Sequence, residues 1–270
     1  MAESKVSSKR SDDDLFVVIL AGGIGSRFWP ASTPSRPKQL LALATDSPLV
    51  VDTFRRAAGI VPVNQVRLLA NARLTAAFQA LPEQWEDDVY WVEPRARGTC
   101  PALAWAAWSI ERECPGAVMI SLHSDHLIEP LDDFQRTISA AVELARNREI
   151  LVCIGAVPDR IETGYGHIQP GESIALESEI EASTVSAFHE KPNATNAERY
   201  LQEGYLWNTG MFVWKASTFL NEVRVNAPEI GACLPLLEES PEAFFDAVPE
   251  GPVDTMVLER SACVGVVQAS

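Results

Sequence analysis

The sequence predicts an α/β fold: a Rossmann-like, mixed but mostly parallel sheet with helices on both faces. Three observations predict it. Short apolar runs alternate with amphipathic stretches along the first 156 residues, the rhythm of strand–helix–strand units. The first run, residues 15–21, is apolar without a break, as in a strand buried on both faces. It ends in a cluster of glycines, where such sheets place their ligand loops. At 270 residues and 47% hydrophobic composition, the chain can bury a substantial core.

The elements follow in order. Residues 1–14 are polar and charged, lack an apolar signal-type stretch, and are expected to form a disordered tail. Residues 66–70, 89–92, 118–122 and 150–156 read as further strands. Residues 48–58, 101–113 and 132–146 carry helical periodicity, and Thr99 with Pro101 marks the start of the middle helix. After Ala156 the rhythm changes. Residues 164–170 and 185–189 read as sheet around a polar insert, 172–183; residues 197–203 read as helix and 211–214 as strand. One domain over 15–270 is expected, with a nucleotide-binding half at 15–156 and a substrate half at 157–250.

Charge and cysteine usage exclude several classes. The formal net charge is −15, which opposes a nucleic-acid partner, because such a surface needs a basic stripe. A small anionic ligand remains compatible, since a few local cations and backbone N–H groups suffice. Five widely spaced cysteines without a Cys-x-x-Cys pair predict free thiols in a reducing, cytoplasmic setting. No apolar run approaches the roughly twenty residues that cross a bilayer, so no membrane association is expected. A homo-oligomer is left open.

The sharpest feature is the segment Leu20, Ala21, Gly22, Gly23, Ile24, Gly25, Ser26, Arg27, Phe28, Trp29, Pro30, followed by Pro37, Lys38 and Gln39. Glycines let the backbone bend closely around a ligand and aim N–H groups at phosphate oxygens. Arg27 can fork onto two oxygens and Lys38 supplies a point charge, which together suit a triphosphate. The spacing is not the dinucleotide fingerprint, because Phe28 stands where its third glycine belongs. It is not a Walker loop, because no Gly-Lys-Ser/Thr closes it.

This glycine segment with Pro37, Lys38 and Gln39 resembles the signature of mannose-1-phosphate guanylyltransferases, within the nucleoside-diphospho-sugar pyrophosphorylases. Further blocks are similar in family order across residues 15–270. They are Glu93-Pro94 with Arg97-Gly98-Thr99-Cys100-Pro101-Ala102; Leu122-His123-Ser124-Asp125-His126; Glu162-Thr163-Gly164-Tyr165-Gly166; Phe188-His189-Glu190-Lys191-Pro192; and Leu206-Trp207-Asn208-Thr209-Gly210-Met211-Phe212. Gly98 departs from the pattern, which has asparagine there.

The resemblance implies a role for each block. Leu20, Ala21, Gly22, Gly23, Gly25 and Ser26 would bind the nucleotide, with Arg27 and Lys38 as the catalytic cations. Glu93, Pro94 and Thr99 would face the nucleobase. Asp125 would hold Mg²⁺ (or Mn²⁺), an ion content with one or two carboxylates plus phosphate oxygens and water. Gly166, Glu190, Lys191 and Asn208 would bind the sugar phosphate. Read without the resemblance, Glu190 and Lys191 are an ordinary surface charge pair. Trp207, Met211 and Phe212 read as core or pocket wall.

The implied reaction transfers a guanylyl group from GTP to mannose-1-phosphate, giving GDP-mannose and pyrophosphate. Residues 253–260 and 264–270 resemble the family's late helix and next strand. A Trp-x-Asp-x-Gly segment carrying the second metal-ligand aspartate follows these in the family and falls past Ser270, so the resemblance implies a missing C-terminal part and weak turnover for these 270 residues alone. Two alternatives stay open: a glucose-1-phosphate thymidylyl- or uridylyltransferase, and a catalytically inactive subunit that binds a sugar nucleotide.

Overall fold

In a computed structural model, residues 12–23, 30–33, 37–43 and 45–269 are described. Strand β1 (Leu15–Leu20) is buried at every position. Its alternate residues serve two cores: Phe16, Val18 and Leu20 face one side, while Leu15, Val17 and Ile19 face the other. This follows from the two-residue strand period, and it explains why the run carries no polar residue. Helix α1 (Leu49–Ala58) leads to β2 (Val66–Asn71), α2 (Ala72–Gln79), β3 (Tyr90–Glu93), α3 (Thr99–Glu113), β4 (Val118–His123), α4 (Leu131–Asn147) and β5 (Leu151–Ala156). The second half holds β6 (His167–Ser173), β7 (Ala182–His189), α5 (Ala194–Gln202), β8 (Leu206–Lys215), α6 (Ala216–Asn226), α7 (Pro228–Gly231), α8 (Pro241–Ala247) and β9 (Val264–Gln268). A π-helical turn, Asp254–Leu258, precedes β9.

The strands form one sheet in the order β3-β2-β1-β4-β8-β5-β9-β7-β6, with a further pairing of β8 to β6. The pairings make β7 and β8 antiparallel to all the others, so the sheet is mixed with most strands running one way, as expected. Strand β8 divides one edge between two partners: Phe212–Lys215 lie against β4, and Leu206 and Trp207 lie against β6. Its other edge runs along β5. The two halves therefore share one sheet. The helices α3, α6 and α8 cover one face, and α1 and α4 the other.

Several expected boundaries move. Asp12–Asp14 form a 3-10 turn inside the expected tail, with Asp14 paired to Arg146. The expected strand 211–214 is the end of the longer β8, and the strand 185–189 starts at Ala182 inside the polar insert. Helices α2, α6, α7 and α8 add to the expected set. Asn71 caps α2 by accepting from the Leu74 N–H at 3.0 Å, and Ser240 caps α8 by accepting from Ala243 N–H at 3.1 Å. The expected helix 253–260 is the short π turn.

Strand β8 carries a bulge: the step of two residues from Cys153 to Gly155 in β5 is matched by a step of four from Phe212 back to Asn208 in β8. Gly210 sits within it at φ +74°, and a Cβ there would lie 2.9 Å from His123 Nε2. Gly204 has a similar φ of +76° but open space around it. Gly204→Ala is therefore expected to cost about 1 kcal/mol of stability from backbone strain alone. Gly210→Ala should cost at least about 1 kcal/mol more, because the methyl must displace the His123 ring. Urea unfolding measures both; equal costs would show that His123 does not confine Gly210.

Candidate active site

The chain runs from β1 outward to β2 and β3, then returns to β4 on the opposite side of β1. Open α/β sheets bind ligands at such a reversal, outside the carboxyl ends of the strands. Here those ends are held side by side: Leu20 is in register with His123, and the Ser124 N–H donates to Leu20 O at 3.1 Å. The glycine segment leaves β1 and the Asp125 loop leaves β4 at this point.

Lys38, on a 3-10 turn (Lys38–Leu40), reaches across to Asp125, with Nζ 2.5 Å from Oδ2. Burial acts to raise the Asp125 pKa, but the Lys38 hydrogen bond and charge, aided by His126 and His123, outweigh it and hold the carboxyl below its ordinary value. Burial, followed by the charge of His123, pushes His126 down to about 4. Burial also lowers His123, despite the opposing charge of Asp125.

Gln39 holds the start of the glycine turn. It is 3% exposed, and its Nε2 donates to Ala21 O at 2.9 Å and to Gly23 O at 2.6 Å. Its neighbours in the Pro-Lys-Gln block explain the arrangement: one short turn delivers both the cation and the clamp. Glu93 closes the other side at the end of β3. Its Oε2 lies 3.3 Å from where a Cβ on Gly22 would be, so a side chain at position 22 would crowd it. Burial raises the Glu93 pKa, partly offset by the Arg97 N–H. Pro94 is half-buried beside it. Gly25, Ser26 and Arg27 lie outside the described residues.

Thr99 begins α3, but its hydroxyl oxygen accepts from the Val253 N–H at 2.9 Å. The expected base contact from this side chain is therefore left with the O–H and one lone pair. Gly98 has φ +82° and ψ 177°, a region open essentially to glycine alone, and a Cβ there would lie 2.5 Å from Gly251 O.

A second cluster gathers Gly166, Glu190, Lys191 and Asn208. The Asn208 N–H donates to Gly166 O at 2.8 Å. A Cβ on Gly166 would lie 2.8 Å from Glu190 Oε2 and 3.2 Å from Asn208 Cβ, so only glycine leaves room there. Lys191 pairs with Glu190 and adopts φ +49°. Trp207, Met211 and Phe212 are buried, as expected of wall and core. The bulge at Gly210 brings this cluster's strand against His123, two residues before Asp125. Among the described residues, no group of three or more His, Cys, Asp and Glu side chains is arranged to hold a metal. Asp125 stands as a single carboxylate, which fits an ion whose other ligands are phosphate oxygens and water. A groove of about 420 Å³ lined by Gly59, Gln135, Ser139 and Arg146 shares no residue with either cluster.

Sequence reasoning missed three participants: the clamp role of Gln39, and the carboxylates Asp254 and Glu259. Asp254 accepts from Asn208 Nδ2 at 2.8 Å and Glu259 from the Glu190 N–H at 2.8 Å. An available signal was an aspartate set among Val253, Met256 and Val257, where a carboxylate has no reason to be unless something holds it.

This fold defines a class, the α/β transferases of nucleotidyltransferase fold. The profile of the nucleotidyl transferase family matches residues 16–252, and the chain belongs to that family. It is 37% identical over 271 residues to a mannose-1-phosphate guanylyltransferase of Escherichia coli (strain K12), covering 94% of this chain and 56% of the relative. It is 34% identical over 267 residues to an alginate biosynthesis protein AlgA of Pseudomonas syringae pv. tomato, covering 92% and 53%. The chain thus spans about half the length of the curated relatives it matches. Among solved structures, one described as mannose-1-phosphate geranyltransferase from Thermus thermophilus superposes with a TM-score of 0.85 at 28% identity, over 95% of this chain and 74% of that one. No helix among the described residues is long and apolar enough to cross a membrane.

The competition between burial and Lys38 at Asp125 gives a direct prediction. Lys38→Met leaves burial to dominate, so the Asp125 carboxyl should titrate at a higher pH than in the wild type. NMR titration of the aspartate side-chain carbons measures this, and an unmoved Asp125 would show that Lys38 does not set its charge.

Proposed function

We propose that this chain carries the nucleotidyl-transfer site for mannose-1-phosphate and GTP, forming GDP-mannose and pyrophosphate. The observation that carries the proposal is the Lys38–Asp125 pair at the reversal between β1 and β4, beside a glycine turn clamped by Gln39. The relatives named as mannose-1-phosphate guanylyltransferases support this substrate pair. Five free cysteines fit a reducing, cytoplasmic site of action.

The chemistry is a phosphoryl-centre displacement. An oxygen of the sugar phosphate attacks the α-phosphorus of the triphosphate; the bond from that phosphorus to the α–β bridging oxygen breaks, and pyrophosphate leaves. A phosphate monoester already carries its negative charge near neutral pH, so no side chain need act as general base. Burial disfavours the protonated form of both His123 and His126, and neither is assigned such a role. The residues here bind and align. The backbone of Gly22 and Gly23 approaches the phosphates, Lys38 neutralises them, and Lys191 meets the attacking phosphate. Arg27 belongs to the same proposal through its place in the glycine segment, as do Gly25 and Ser26. Glu190 and Asn208 would accept from and donate to the sugar hydroxyls over Gly166. Glu93, Pro94 and the 97–99 backbone would face the base.

Asp125 would hold the divalent ion, Mg²⁺ or Mn²⁺, which when bound supplies charge neutralisation on the phosphate oxygens. Lys38 and Asp125 satisfy each other without a ligand. On binding, Lys38 turns its charge to the phosphates and Asp125 is released for its own partner.

Binding calorimetry and pyrophosphate release test the reading, with GTP, ATP, UTP and dTTP set against mannose-1-phosphate and glucose-1-phosphate. GTP and mannose-1-phosphate should bind most tightly, and any pyrophosphate should appear fastest with that pair. Lys38→Met should weaken GTP at least tenfold, about 1.4 kcal/mol. A preference for dTTP or UTP with glucose-1-phosphate would replace the substrate assignment. Binding of no nucleoside triphosphate would overturn nucleotidyl transfer itself.

A further inference from the structure

The reaction above makes no use of two carboxylates behind the sugar-phosphate cluster. Both come from one short element. The π turn Asp254–Leu258 buries Met256, Val257 and Leu258 in the core under α3 and α6, and this holds Asp254 at one end and Glu259 at the other. The segment before it is tied to the base-side turn by backbone: Gly251 N–H donates to Arg97 O at 3.0 Å, and Cys100 N–H donates to Gly251 O at 3.1 Å.

Each carboxylate holds one recognition group. Asp254 Oδ1 accepts from Asn208 Nδ2, while Asn208 Oδ1 accepts from the Gly210 N–H at 3.1 Å. The amide is thus fixed at both ends and cannot turn over. One N–H and one oxygen lone pair remain for a ligand, each facing a set direction. Glu259 Oε1 accepts from the Glu190 N–H, which orders the backbone immediately before Lys191 and its positive φ.

Stability alone does not account for Asp254. It is half-buried among apolar neighbours, and burial together with the charge of Glu190 pushes its pKa up to about 6. The facing groups are Glu190 and Lys191 from the sugar-phosphate loop and Asn208 from β8. A carboxylate beside a second carboxylate is a poor structural choice, and well-packed neutral side chains serve such positions at least as well. Its place there, hydrogen-bonded to Asn208, points to a functional demand on the group it holds.

Resting on the sugar-phosphate reading of this cluster, we propose that Asp254 and Glu259 are positioning residues that set affinity for the sugar phosphate and not for the nucleotide. Asp254 presents the Asn208 amide in one orientation to the sugar hydroxyls. Glu259 presents Glu190 and Lys191 together to the sugar and its phosphate.

Calorimetry with mannose-1-phosphate, and separately with GTP, tests this on the wild-type chain and four variants. Asp254→Ala should weaken mannose-1-phosphate by about tenfold, the worth of one hydrogen bond to a charged group, and leave GTP within about twofold. Asp254→Asn keeps an oxygen for Asn208 and should recover most of the lost affinity. Glu259→Ala and Glu259→Gln should repeat the pattern at the Glu190 turn, and they carry the test if Asp254→Ala does not fold. Equal weakening of both ligands, no weakening, or failure of the amide variants to recover affinity would overturn the proposal while the wild type still bound mannose-1-phosphate. If the wild type bound another sugar phosphate instead, the same comparison would be read with that ligand. Wild-type chain that bound no sugar phosphate at all would remove the reading of the cluster, and the proposal with it.

Discussion

Strand β8 is shared by the two halves of the molecule, and the rest of the structure is arranged around that constraint. It pairs with β5 along one edge and divides the other between β4 and β6. A regular strand holds one register, and the bulge at Gly210 lets β8 change its register against β5 midway. The change has a direct consequence. Asn208 stands over Gly166 at the sugar-phosphate cluster, while two residues later the strand meets His123, whose register partner is Leu20 at the mouth of the glycine turn. The two clusters are thus joined by a hydrogen-bonded ladder, and their spacing is a property of the sheet.

The electrostatics of the candidate site follow from a strongly acidic chain in which each of the two site lysines is paired with a carboxylate. Lys38 pairs with Asp125 and Lys191 with Glu190. The first pair is largely shielded from water, while the Lys191 side chain is 54% exposed, so the second is weakly held and readily exchanged. Burial lowers the pKa of both His123 and His126, which disfavours a further positive charge between these pairs. A multiply charged phosphate chain outcompetes a single carboxylate for a lysine. Pre-formed pairs of this kind keep the cations in place in the absence of ligand and spare the fold an isolated buried charge.

What was legible in the sequence was what local chemistry decides. The unbroken apolar run of β1, the start of α3 and the lone aspartate after β4 follow from patterns a few residues long, and the structure has them where expected; of the glycines after β1, Gly22 and Gly23 are described. Helix α2 was hidden because it starts directly from the last residue of β2, Asn71, which ends the strand and caps the helix at once. The first half of β8 was hidden by Gly210, which reads as a strand break and is instead a bulge. Asp254 and Glu259 were the least legible, since their meaning depends on partners far away in the chain, and no local pattern marks a carboxylate as the holder of a distant amide. The roles carried by family resemblance at Glu190, Lys191 and Asn208 fall on residues that do cluster; composition alone would have left them on the surface.

The departure at Gly98 has a physical explanation that bears on how a base is read. The backbone there has φ +82° and ψ 177°, and the place a Cβ would occupy is filled by Gly251. Gly251 in turn is closed off by Met256, whose Sδ would clash with any Cβ placed on it. The two glycines therefore pack backbone to backbone, and an asparagine at position 98 would have to push the whole 251–256 segment away. With no side chain at 98 and one lone pair of the Thr99 hydroxyl engaged by Val253, the proposed base contacts at this turn would rest mainly on main-chain groups and on Glu93, whose carboxyl group lies beside Gly22. The same segment that crowds Gly98 carries Asp254, so the exclusion of a side chain at 98 and the support of Asn208 arise from one piece of chain.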